Sequence, residues 1–216
     1  MNLASTIDHT ILKPDCTAAQ IEQLCAEAAE HTFASVCVLP WYVKHAESIL
    51  RGTNVPVCTV VGFPLGASTT LVKVAESVDA ISNGAREIDM VAAITAVKSD
   101  RWDLVEADIR AVTRTCHDRG AIVKVIIETC LLTDPEKVRL AQIVTSCEAD
   151  FIKTSTGFST GGATVEDVAL LAASIGPNVR VKASGGIRTA EAATLMIQAG
   201  ASRIGTSNGV AIVQGA

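Results

Sequence analysis

Four charged side chains interrupt segments that otherwise read as buried aliphatic strands: Asp89 in EIDMV, Lys124 in AIVKVIIET, Lys153 in DFIKTST and Lys182 in VRVKASGG. Lysine and aspartate are rarely fully buried without a partner, because desolvating a lone charge is costly. Two lysines in successive strands have a definite chemical use. An amine attacks a carbonyl only when neutral, and a neighbouring ammonium with partial desolvation favours that neutral form. One lysine would then form a Schiff base while the other stays cationic and tunes it. Asp89, with a bound water, could move the protons that imine chemistry requires. The bland alternative is a structural network in which the lysines pair with Asp89, Glu87 or Glu128. For Lys124, which no glycine loop follows, that structural role is the better reading.

Glycine-rich segments follow the two other lysine strands. Ser184-Gly185-Gly186 comes after Lys182, Gly205-Thr206-Ser207-Asn208-Gly209 follows the next strand, and Thr156 to Gly162 follows Lys153. Glycine lets a backbone approach an anion closely, and the last two loops of a parallel barrel commonly hold a phosphate on backbone N–H groups. The residues expected to meet a substrate are therefore Thr154, Gly157, Gly185, Gly186, Gly205, Ser207 and Asn208. Asp8 either orients a substrate hydroxyl or caps a turn. No segment matches a nucleotide-binding glycine motif. His9, His31, His45 and His117 are dispersed without ligand spacing, so no metal is expected, and Cys37 reads as a core thiol.

Short aliphatic runs alternate with amphipathic ones along the whole chain. Strands are expected at residues 6–10, 35–39, 57–61, 86–91, 122–128, 150–154, 180–183 and 203–206, the first being the weakest signal. Ile21, Leu24, Cys25 and Ala28 have helical spacing behind a Thr17–Gln20 capping box. Leu71, Val74, Ala75 and Val78 repeat it, as do Val105, Ile109, Val112 and Cys116. Thr133-Asp134-Pro135-Glu136 and Thr189 read as helix starts, with Gly200 a terminator. About 27 residues per strand–helix unit fits a parallel sheet with right-handed crossovers, closed as a near-minimal (β/α)8 TIM barrel. An open doubly wound sheet is the alternative. No linker divides the chain, so residues 1–216 are expected to form one domain. Only about ten residues follow the last strand, which leaves room for a very short final helix.

Composition bounds the partners. The chain of 216 residues is 49% hydrophobic yet only 3% aromatic, as suits aliphatic parallel strands, and its formal charge of −5 argues against nucleic acid. Seven scattered cysteines without a C-x-x-C fit reduced thiols in a cytoplasm. No signal peptide and no membrane span are evident.

The segments IDHTILKP (7–14), SVCV (35–38), VGFPLGA (61–67), REIDMV (86–91), KVIIET (124–129), FIKTSTGFSTGGAT (151–164), VKASGGIRT (181–189) and RIGTS (203–207) resemble the deoxyribose-phosphate aldolase family, in order and over almost the full length. The resemblance implies a TIM barrel that reversibly cleaves 2-deoxyribose 5-phosphate to acetaldehyde and glyceraldehyde 3-phosphate. It implies that Lys153 forms the Schiff base, Lys182 lowers its pKa and Asp89 relays protons through water, with no cofactor. The loops at Gly185-Gly186 and Ser207-Asn208 fall where the family holds substrate phosphate. A homodimer is a further expectation. The sequence departs from the family at Leu39, at Ala92 to Thr95 after EIDMV, at Asn208, and at Ala216, where many members continue to a C-terminal tyrosine. Small residues at Ala92 and Ala93, expected at the barrel mouth, could shift the acceptor towards less polar or non-phosphorylated aldehydes. A sugar-phosphate isomerase and a non-catalytic metabolite-binding barrel are the remaining alternatives.

Overall fold

The aliphatic runs become eight parallel strands that close on themselves in sequence order: β1 (Ile7–Ile11), β2 (Ser35–Val38), β3 (Val57–Val61), β4 (Glu87–Val91), β5 (Ile122–Ile126), β6 (Phe151–Lys153), β7 (Arg180–Ser184) and β8 (Ala201–Thr206). This is the computed structural model, which describes residues 2–215. Ala216, where a tyrosine-bearing tail would continue, lies outside the described residues. Helices α1 (Ala18–His31), α2 (Val43–Leu50), α3 (Thr70–Ser82), α4 (Ile94–Lys98), α5 (Trp102–His117), α6 (Asp134–Ser146), α7 (Val165–Ser174), α8 (Ala190–Gln198) and α9 (Gly209–Gln214) complete it. The final helix, α9, has six residues.

Local signals account for most helix boundaries. The reciprocal Thr17–Gln20 cap starts α1, and Thr133 with Glu136 caps α6 in the same way, with Pro135 in its first turn. Thr189 accepts from the Ala192 N–H at the start of α8. Ile21, Leu24, Cys25 and Ala28 are all buried, as are Val105, Ile109, Val112 and Cys116. Thr164 likewise accepts from the Asp167 N–H at the start of α7, whereas α2 has no side-chain cap.

One helix face is corrected by the structure. Leu71 of α3 is exposed, and the buried face is instead Lys73, Ser77 and Ala80. Lys73 Nζ donates to Asp108 Oδ2 of α5 at 2.5 Å and to the Val91 carbonyl at 2.9 Å, while Thr70 Oγ1 donates to Asp108 Oδ1. A buried lysine needs such a carboxylate, so this pair rotates α3 away from its apolar stripe and ties it to the end of β4.

Side chains alternate between the barrel interior and the helix layer. Inside, Phe151 is buried at the lower level, with the Arg180 guanidinium 4.0 Å above its ring. The charged residues of β1, β4, β5, β6, β7 and β8 lie on the same inner face. Among the described residues no helix is long and apolar enough to cross a membrane.

Candidate active site

The register lines up the charges before any side chain is considered. Asp89 lies beside Lys124, Lys153 beside Lys182, and Lys182 beside Arg203. Their side chains meet on Asp89, which is fully buried. Asp89 Oδ2 accepts from Lys153 Nζ and from Lys182 Nζ, each at 2.7 Å, and Oδ1 accepts from Lys124 Nζ at 2.7 Å. Lys182 Nζ also donates to Asp8 Oδ2 at 2.5 Å. Arg203 Nη1 reaches Asp8 Oδ1 at 2.6 Å and Glu87 at 3.1 Å, and Lys124 pairs with Glu87 at 2.6 Å. Four basic groups thus face three carboxylates in one network.

That network fixes which groups keep their charge. Burial by itself would raise the Asp89 carboxyl, but Lys124, Lys153 and Lys182 hold it well below the usual carboxylate range. Asp8 is likewise held low, against its burial, by Lys182, Lys124 and Arg203. Burial would strip the proton from Lys182, yet Asp8 and Asp89 raise it above an ordinary lysine, so it remains an ammonium. Lys124 is raised in the same way by Asp89 and its other neighbours. Lys153 differs in place: its one carboxylate partner is Asp89, and it alone of the three lysines lines the open cavity.

The cavity has a volume of about 670 Å³ at the C-terminal end of the barrel, where parallel barrels place their sites. Lys153 stands at its floor. Gly157, Gly185, Gly186, Gly205, Ser207 and Asn208 line it. Gly185 and Gly186 have φ of 87° and 81°, a backbone region that suits glycine. Gly205 has a second function in packing, since a Cβ there would stand 3.1 Å from Lys182 Cε. Thr206 joins the two glycine loops, its Oγ1 donating to the Ile187 carbonyl at 2.7 Å and accepting from the Asn208 N–H at 3.0 Å.

Several expectations need correction. Thr154 does not line the cavity. It follows Lys153 directly, so the strand alternation turns it outward, where its Oγ1 accepts from Ser184 N–H and donates to the Ser184 carbonyl. Asp8 caps no turn and does not reach the cavity lining; it lies beneath, paired with Lys182 and Arg203. Glu128 pairs with no lysine, because it turns out of β5 at φ 53° and accepts from the Thr156 backbone and hydroxyl. Ala92 is buried in the hydrophobic core, and neither it nor Ala93 lines the cavity. Leu39 packs with Leu12, Cys37, Cys58 and Val60.

Other residues at the site were not singled out from sequence. Arg203 and Cys58 belong to the buried network, Cys58 Sγ lying 3.1 Å from Asp89 Oδ1. Lys13 and Arg188 bring cationic groups to the cavity wall. Two sets, Cys37 with Cys58 and Asp89, and Asp8 with Cys58 and Glu87, place potential metal ligands within 4.8 Å of one another. Their carboxylates are already engaged by ammonium and guanidinium groups, so an ion there would have to displace cations.

The arrangement can supply an amine open to a cavity, a fixed ammonium beside it, and a carboxylate in reach of both. The DeoC/LacD family aldolase model matches residues 3–215. The chain is 57% identical over 216 residues to a deoxyribose-phosphate aldolase of Brevibacillus brevis, covering 100% of this chain and 97% of that one. It is 58% identical over 215 residues to the deoxyribose-phosphate aldolase of Bacillus subtilis, covering 100% and 96%. Among solved structures it resembles a tetrameric deoxyribose phosphate aldolase from Aeropyrum pernix, with a TM-score of 0.92, 34% identity, and 98% and 89% of the two chains covered.

Proposed function

The chain belongs to the DeoC/LacD family of aldolases, and from that premise we propose that it reversibly cleaves 2-deoxy-D-ribose 5-phosphate to acetaldehyde and D-glyceraldehyde 3-phosphate through a Schiff base on Lys153. The observation that carries the assignment of residues is the placement of Lys153 Nζ at the cavity floor, 2.7 Å from Asp89 Oδ2, with Lys182 on the same oxygen.

The steps follow from what each group can do. The neutral Lys153 amine adds to C1 of the open-chain sugar, and loss of water from the carbinolamine gives an iminium. A base removes the C3 hydroxyl proton, the C2–C3 bond breaks, and its electron pair passes into the iminium as an enamine. Glyceraldehyde 3-phosphate departs as the new carbonyl forms at C3. The enamine takes a proton at C2, and water hydrolyses the resulting iminium to release acetaldehyde and the amine.

Asp89, with a water, is the proposed proton relay, and Lys182 is the ammonium that tunes the amine and stays charged throughout. Charge balance supports this division. With Lys153 neutral, the buried network has three cations, Lys124, Lys182 and Arg203, against Asp8, Glu87 and Asp89. The amine form is therefore the form in which the interior is electrically neutral.

The proposed phosphate pocket comprises the Gly185–Gly186 and Gly205–Asn208 segments, with Lys13 and Arg188 beside them. Their geometry favours the phosphorylated sugar. The alternative acceptor preference has less support, because the alanines on which it rested lie away from the cavity. Measured kcat/KM is expected to be at least about 100-fold higher for 2-deoxyribose 5-phosphate than for 2-deoxyribose, as the loss of a multiply bonded anion implies. Equal values for the two sugars would sink the phosphate assignment. Absence of cleavage of both would sink the aldolase reading. We further read the chain as a homo-oligomer in a reducing cytoplasm, in keeping with the tetrameric relative and with seven unpaired thiols.

A further inference from the structure

His9 has no part in the chemistry just described. It neighbours Asp8 on β1, so it points the opposite way, out of the barrel interior and towards the segment that follows β8. Its Cα partner across the sheet is Thr206, the residue that joins the two glycine loops. The ring is buried at 3% exposure. Its Nε2 lies 2.6 Å from Glu27 Oε2 on α1, and Gln23 donates to the other oxygen of Glu27 at 2.8 Å. Phe33 closes the remaining side, its ring centroid 5.1 Å from that of His9 in an edge-on arrangement.

The other nitrogen, Nδ1, is buried and has no hydrogen-bonding partner among the described residues. It faces Gly209 so closely that a Cβ at that position would stand 2.8 Å away, and 3.1 Å from the Phe33 ring. A polar side chain so placed is held by Glu27 and acts on the loop as a fixed stop. Behind the loop lies a cavity of about 320 Å³ lined by His9, Glu27, Gln23 and Ser207 among others. Without the imidazole, the back of the Ser207–Gly209 segment would have room to fall into that space.

We propose that His9, held by Glu27, is the positioning residue that sets the distance of the Ser207–Gly209 segment from β1, and thereby the affinity of the site for the substrate's phosphate. The inference rests on the reading of this segment as the phosphate pocket. It adds a residue that touches neither substrate nor reacting atoms. A displacement of about 1 Å in a positioning element can cost up to about 100-fold, which sets the scale.

Two substitutions disturb the same contact from opposite sides. His9→Leu removes the bond to Glu27, and His9→Gln retains a side-chain N–H that can reach it. Gly209→Ala places a methyl group against Nδ1 and pushes the segment towards the cavity, at a backbone conformation that is not confined to glycine. Calorimetric titration with inorganic phosphate reads the pocket without requiring turnover. Both His9→Leu and Gly209→Ala are expected to weaken phosphate binding by about tenfold, with His9→Gln in between. For 2-deoxyribose 5-phosphate, KM should rise in parallel while kcat stays within about twofold, and thermal melting should report folded proteins.

If wild type binds phosphate and folded Gly209→Ala and His9→Leu bind it equally well, the inference is overturned, whatever the aldolase assay reads. A fall in kcat equal on the phosphorylated and unphosphorylated sugars overturns it too, since that is the mark of general damage. Should His9→Leu fail to fold, Gly209→Ala decides the matter alone. A wild type that binds phosphate tightly but cleaves no sugar leaves this inference to the titration and refutes only the aldolase reading.

Discussion

Replacing Lys153 with leucine is expected to abolish cleavage while leaving the barrel folded and no less stable. Among the described residues of the buried network, Lys153 alone brings an amine to the cavity, so kcat should fall on the order of 10⁵-fold or more, as it does when a covalent nucleophile is removed. Removing Lys153 leaves Lys124, Lys182 and Arg203 against Asp8, Glu87 and Asp89, so no carboxylate is left unpaired, because Asp89 keeps Lys182 on Oδ2 and Lys124 on Oδ1. Removing one partner of a buried pair costs about 3–5 kcal/mol when it leaves a charge uncompensated, and this substitution leaves none. Thermal denaturation and a cleavage assay on one preparation check both halves. An active Lys153→Leu variant would exclude the imine at this lysine, and a variant destabilised by several kcal/mol would contradict the charge argument.

Removing Asp89 should have the opposite balance of effects. Its two oxygens are shared by three lysines, so Asp89→Leu leaves Lys124, Lys182 and Arg203 against Asp8 and Glu87 in a buried space. Breaking a buried pair in this way costs about 3–5 kcal/mol. Asp89→Asn keeps the shape and removes the charge and the proton-accepting oxygen. Its kcat is expected to fall about 10²- to 10⁴-fold, the usual contribution of a positioned acid–base group. Wild-type turnover in Asp89→Asn would exclude the relay.

The same carboxylates give the protein an acid-sensitive stability. Asp8 and Asp89 are held below the ordinary carboxylate pKa in the folded chain, so the unfolded chain takes up these protons first as pH falls. Their contribution is complete above about pH 5 and is lost progressively below about pH 4. Asp89→Asn should therefore lose less stability than wild type between neutral and acid pH, a difference that denaturant titrations at several pH values would resolve.

Much of this was legible in the sequence because the strands are so uniformly aliphatic. Against that background Lys153, Lys182 and Asp89 stand out, and the glycine segments after β7 and β8 mark the cavity wall. Thr154 was misplaced although a signal existed: it neighbours Lys153, and a two-residue period cannot point both inward. Lys124, which no glycine loop follows, reads as a member of a structural network, and it does pair with Asp89 and Glu87 away from the cavity. Arg203 sits within β8, and its partners Asp8 and Glu87 are 195 and 116 residues away in sequence. The face of α3 was unreadable for the same reason, since Asp108, which draws Lys73 inward, lies on another helix. Local periodicity reports which residues share a face. It does not report which distant charge that face will meet.

The most direct test is to incubate the protein with acetaldehyde and sodium borohydride and then map the modified peptide by mass spectrometry. Reduction of an imine would fix a two-carbon ethyl group on Lys153 with concurrent loss of activity, and Lys153→Leu would show no such adduct. Stable adduction at Lys182 or Lys124 instead, or inactivation without any lysine adduct, would contradict the assignment of Lys153 as the amine that forms the Schiff base.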